Sequence, residues 1–258
     1  AGIAAAGFSA VNWMTMSKIA ASWVISPVLG GVIAALFLWL IKSRIIYQPD
    51  KIAAARRWVP ILIAIMSGAF ASYLALKGIK KIIKIDIQTA IIIGFLIGVA
   101  TWAITKPIIA KQSVGMENRN KSLKQLFNIP LIVSAALLSF AHGANDVANA
   151  VGPLAAIVQA SSSGEYITAI SIPLWVMVIG AAGISFGLFL FGPKLVRVVG
   201  SQITKLNQMR AYCVALSAAI TVIVASWLGL PVSSTHIAVG SVFGVGFFRE
   251  WDSARRMK

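Results

Sequence analysis

Ser139-Phe140-Ala141-His142-Gly143-Ala144-Asn145-Asp146-Val147-Ala148-Asn149-Ala150-Val151-Gly152-Pro153 is the run on which the reading of this chain turns. It lies inside a longer apolar stretch, Ile129 to Val158. A helix needs about 20 apolar residues to cross a bilayer, and this stretch is long enough. Of the seven acidic residues in the chain, Asp146 is the one deep inside such a stretch. A carboxylate at the membrane centre costs roughly 2.5–3.5 kcal/mol, so it needs a partner or an aqueous cavity. Helical spacing supplies neighbours. His142 and Asp146 are four apart, as are Asn145 and Asn149, and Asp146 and Asn149 are three apart. On a helix these positions share a stripe. Asn145, Asp146 and Asn149 offer hard oxygen donors, which suit a small hard cation better than a soft metal. Gly143, Gly152 and Pro153 weaken the helix, and locally unwound backbone would add carbonyl oxygens. Interhelical hydrogen bonding accounts well for a lone Asn and poorly for this cluster.

The rest of the chain is a membrane protein by composition. Hydrophobic residues make up 59% and charged residues 12%, against about 25% charged in a soluble domain. Six segments are long and apolar enough to span: Ser17 to Ile41, Trp58 to Leu76, Ile85 to Thr105, Ile129 to Val158, Ser171 to Gly192 and Ala211 to Leu230. A seventh apolar stretch, Pro231 to Phe248, follows without a polar loop, as in a re-entrant hairpin or a discontinuous helix. The fold class expected is therefore all-α, with about six transmembrane helices plus a re-entrant or broken helix. Lys plus Arg is 23 against 7 acids, a net charge of +16. The basic residues concentrate in Lys42 to Arg57, Lys106 to Asn128 and Pro193 to Arg210. Basic loops fix orientation by the positive-inside rule, so the excess is no nucleic-acid signal. Lys77 to Lys84 breaks the alternation with four Lys, and attraction of an anion is one task for it. Trp13, Trp58, Trp175, Trp227 and Trp251 fall near span ends, as an aromatic belt would.

The second informative run is Pro231-Val232-Ser233-Ser234-Thr235-His236. Ser233 or Ser234 is a good N-cap for a helix running towards Phe248. The first amides of that helix lack partners, and with the helix dipole they favour an anion. Hydroxyls of Ser233, Ser234 and Thr235 can donate to anion oxygens, so the cradle suits phosphate or sulfate. His142 and His236 are read as structural groups behind the ligands. A lone Cys213 excludes a disulfide framework. No CxxC, HExxH or GxSxG occurs, and no hydrolytic site is supported.

Together the two runs resemble the signatures of the inorganic phosphate transporter (PiT) family, and the similarity extends over most of the chain. The resemblance implies a secondary transporter that moves inorganic phosphate with sodium or protons, and sulfate in some relatives. It implies two inverted repeats, each with both signatures. Asn145, Asp146 and Asn149 would then help to bind cation and phosphate, and Ser233, Ser234 and Thr235 would cradle phosphate. No resident cofactor is implied beyond the transported sodium ion or proton. The setting implied is multi-pass in the cell membrane. Each signature occurs once here, so the chain is expected to be a partial one covering the second repeat. Residues 1–128 are read as linking transmembrane helices and basic loops, and residues 129–258 as the second repeat with half a site. Pairing of two copies in a homodimer is one way in which a site could in principle be rebuilt. The competing functions are a sulfate permease, a membrane enzyme acting on phosphate esters, and a non-transporting membrane subunit.

Overall fold

The structure is a computed structural model. It describes residues 7–77, 86–163, 172–198, 206–228 and 232–256, with the side chains of 141, 142, 144–146, 148–150, 226 and 227 among those left outside that description. The described residues form helices joined by turns, with no strand among them. After a 3-10 turn at Phe8–Ala10, the helices are α1 (Trp13–Ile41), α2 (Lys51–Lys77), α3 (Ile87–Gln112), α4 (Asn120–Leu126), α5 (Asn128–Ser163), α6 (Leu174–Val198), α7 (Gln208–Trp227) and α8 (Ser234–Arg256). Five of them are long and apolar enough to cross a membrane. The count becomes six if α4 and the first part of α5, bent by 41°, are taken as one span. This is an integral, multi-pass membrane protein.

Several boundaries differ from the sequence reading. The stretch Lys42 to Arg57 is mostly helix rather than loop. A π-helical turn, Lys42–Ile46, extends α1, and α2 begins at Lys51. Long basic side chains allow this, because their stems cover apolar surface while their heads reach polar partners. Arg56 does so by donating from Nε to the Ser113 hydroxyl. The same end of the fold is stitched further: Asn118 donates to the Pro49 carbonyl at 2.7 Å, and Lys51 Nζ to Asn120 Oδ1 at 3.0 Å. Two of the basic segments thus dock on each other. The four-Lys segment lies almost wholly at residues 78–85, outside the described residues. At the other end of α1, Asn12 accepts from the Thr15 amide at 3.1 Å, which caps the helix four residues earlier than expected.

The expected unwinding at Gly143, Gly152 and Pro153 is not found. α5 is continuous helix through all three. A glycine costs a helix only about 1 kcal/mol, and proline inside membrane helices is tolerated where neighbours satisfy the freed groups. The bend falls instead at the α4–α5 junction.

The chain divides into two compact units, Ala1–Leu138 with Leu206–Lys258, and Ser139–Lys205. In the first, α2 packs on α3, and α1, α7 and α8 pack on one another. Tyr212 and Phe127, both fully buried, meet edge to face at 5.9 Å. In the second, Val151 and Ala155 of α5 pack on Val176 of α6. Phe95 is 70% exposed and Phe189 80%. Apolar side chains this exposed suit helices that cross a membrane.

Candidate functional site

Two places in the fold carry the singled-out residues. The first is α5. Its helical backbone puts positions 142, 145, 146 and 149 on one face by periodicity. The side chains of His142, Asn145, Asp146 and Asn149 lie outside the described residues, so their distances do not enter the geometry.

The second place is the start of α8. α7 ends at Trp227 and α8 begins at Ser234, so the broken-helix expectation holds. Residues 229–231, which include Pro231, lie outside the described residues. Ser233 is the cap: its Oγ accepts from the His236 amide at 3.3 Å, and its carbonyl accepts from the Ile237 amide at 3.1 Å. Both bonds follow from a short hydroxyl side chain just before the first turn. Ser234 is buried, Ser233 half-buried, and Thr235 and His236 exposed. The sequence-predicted hydroxyls therefore split, with Ser233 and Ser234 inward and Thr235 outward.

Behind the α8 start runs a seam of buried hydroxyls that the sequence reading missed. α1 contributes Ser22 and Ser26, α7 contributes Ser217 and Thr221, and α8 contributes Ser234 and Ser241. Ser217 donates to Ser241 Oγ at 2.8 Å, and Ser241 donates to the Ile237 carbonyl at 2.8 Å. Thr221 donates to the Ser217 carbonyl, and Ser22 to that of Ile19. Ser26 Oγ is buried with no hydrogen-bond partner among the described residues. A cavity of about 210 Å³ opens beside this seam, with Ser22, Ser26, Thr221 and Val232 in its wall. The signal was present as hydroxyls four apart inside apolar spans, Ser22 with Ser26 and Ser217 with Thr221. Among the described residues, no three His, Cys, Asp or Glu side chains group to hold a metal ion.

The sequence model of the phosphate transporter family matches residues 1–258. This chain belongs to the phosphate transporter family. A relative in Helicobacter pylori strain J99, provisionally named a phosphate permease, is 55% identical over 97% of this chain and 48% of its own length. A relative in Pyrococcus furiosus with a similar provisional name is 34% identical over 96% of this chain and 60% of its own. The chain thus spans about half the length of the Helicobacter relative. Among solved structures, a sodium-dependent phosphate transporter superposes with a TM-score of 0.86 at 35% identity, over 96% of this chain and 61% of that one. Transporter-family membership fits the absence of a hydrolytic motif.

Proposed function

We propose that the protein to which this chain belongs is a secondary transporter that carries inorganic phosphate across the membrane together with a cation. The observation that carries this reading is the capped start of α8 within a phosphate transporter family chain. There the Ser233 hydroxyl takes the His236 amide, and the first turn presents a helix N-terminus, which favours an anion through its amides and dipole. Ser233, Ser234 and Thr235, with Asn145, serve phosphate. Asp146, with Asn145 and Asn149, serves the cation. The cation offsets the charge of Asp146, so that a phosphate oxyanion is not repelled. Occupancy by both ligands then shifts the equilibrium between outward-open and inward-open states.

Sodium is the coupling ion we favour, in line with the name of the similar solved transporter. Phosphate rather than sulfate follows from chemistry: phosphate can donate a hydrogen bond to a carboxylate or amide oxygen, and sulfate cannot. The test is uptake of labelled phosphate by the full-length protein in proteoliposomes under an imposed sodium or proton gradient. Uptake driven by sodium and resistant to excess sulfate is expected. Uptake driven by protons alone would reject sodium coupling, and competition by sulfate at equal concentration would reject the selectivity.

A further inference from the structure

The contact between α1 and α8 leaves a groove that the transport reading does not use. The two backbones nearly touch at the crossing: a Cβ on Gly31 would stand 2.9 Å from the Gly240 carbonyl oxygen, and one on Gly244 would collide with the Gly31 backbone. Helices this close force their larger side chains to flare aside. The result is an apolar groove of about 710 Å³, walled by Val28, Val32, Phe243, Phe247 and Trp251. Its walls are open, with Val28 61% and Phe247 67% exposed.

At one end the groove meets a cavity of different chemistry, about 330 Å³, with Phe248 and Trp251 as shared walls. Lys42, Asp252 and Arg255 border it. Lys42 Nζ lies 2.7 Å from Asp252 Oδ2, and the Tyr47 hydroxyl donates to the same oxygen at 2.6 Å. The Asp252 charge is thereby compensated within the cavity. Arg255 adds a further cation, set 5.5 Å over the Trp251 ring. Trp39 and Trp251, both about half exposed, flank this end, and tryptophan favours the headgroup level of a bilayer. Lys42 Nζ also lies 5.3 Å over the Phe248 ring, and an ammonium has three donors, so it can serve a headgroup oxygen besides Asp252.

We propose that groove and cavity together bind one anionic phospholipid, with an acyl chain along Val28, Val32 and Phe247 and the phosphate headgroup at Arg255 and Lys42. Charge complementarity selects this occupant. An apolar slot that ends in surplus positive charge at interface height matches a single-headed anionic amphiphile, and anionic lipids concentrate juxtamembrane basic groups at the membrane surface. The site uses other residues than the α8 start, so it stands whether or not phosphate is the cargo.

The test uses the full-length protein with a photoactivatable phosphatidylglycerol and the matching phosphatidylcholine. Phosphatidylglycerol should label peptides spanning residues 243–255 about fivefold more than phosphatidylcholine, the factor one surface cation contributes. Arg255→Glu should remove the preference, and Arg255→Lys should keep it. Equal labelling by the two lipids overturns the proposal, as does an unchanged preference in Arg255→Glu. If that variant does not fold, the wild-type headgroup comparison decides alone. A photo-crosslinking residue at position 247 reports protein occupants: a crosslink to another segment or to a second copy, in place of lipid, overturns it as well.

Discussion

Ser233 Oγ accepts the His236 amide at 3.3 Å, and among the described residues the hydroxyl that caps α8 gives its hydrogen to no acceptor. Capping and anion binding can be separated by substitution. Ser233→Ala should cost about 1 kcal/mol of stability through the lost cap and weaken phosphate binding. Ser233→Asp keeps an acceptor for the amide but sets a negative charge where phosphate would sit. It should hold its thermal midpoint and lose phosphate binding, measured by equilibrium binding on the purified full-length protein. Wild-type phosphate affinity in Ser233→Asp would contradict the anion site.

The Ser217–Ser241 hydroxyl pair, 2.8 Å apart and fully buried, joins α7 to α8. Hydrogen bonds between membrane helices average about 0.6 kcal/mol in double-mutant cycles. A cycle of Ser217→Ala and Ser241→Ala, followed by unfolding, should give a coupling of that size. Zero coupling would show that each hydroxyl serves only its own helix.

Gly244 and Gly152 predict opposite outcomes from one substitution. A Cβ at Gly244 meets the Gly31 backbone, whereas one at Gly152 meets nothing within 4 Å among the described residues. Gly244→Ala should destabilise by about 1–3 kcal/mol, the usual cost of overpacking. Gly152→Ala should be neutral or stabilise by about 0.5–1 kcal/mol, because it removes glycine's excess freedom in a helix. Thermal unfolding of the two variants side by side checks the pair.

Ser26 Oγ is buried without a partner among the described residues. A buried hydroxyl that bonds nothing costs about 1–3 kcal/mol of desolvation. Ser26→Ala should therefore unfold at the same temperature as wild type or higher. A marked drop would mean that the hydroxyl has a partner in the working protein.

The spans were legible because apolar runs of membrane length have few alternatives. The α8 start was legible because Pro231, Ser233 and Ser234 interrupt an otherwise apolar stretch, and serine caps helices for a local reason. Other features depend on tertiary partners. The charges of Lys42, Lys51 and Arg56 argued for a loop, yet helix persists there because Asp252, Asn120 and Ser113 receive them. Gly143 and Pro153 argued for unwinding, yet α5 runs through both. The hydroxyl seam was written in four-residue spacings, but only the packing of α1, α7 and α8 reveals that its members share an interior.

We propose that Asp146 couples a cation to phosphate movement. The most direct measurement is sodium-driven uptake of labelled phosphate into proteoliposomes by the full-length protein and its Asp146→Asn variant at equal incorporation. Asparagine keeps the size and loses the charge, so uptake should fall to the level of empty liposomes while the variant still inserts and unfolds as wild type does. Sodium-driven uptake at the wild-type rate in Asp146→Asn would contradict the account.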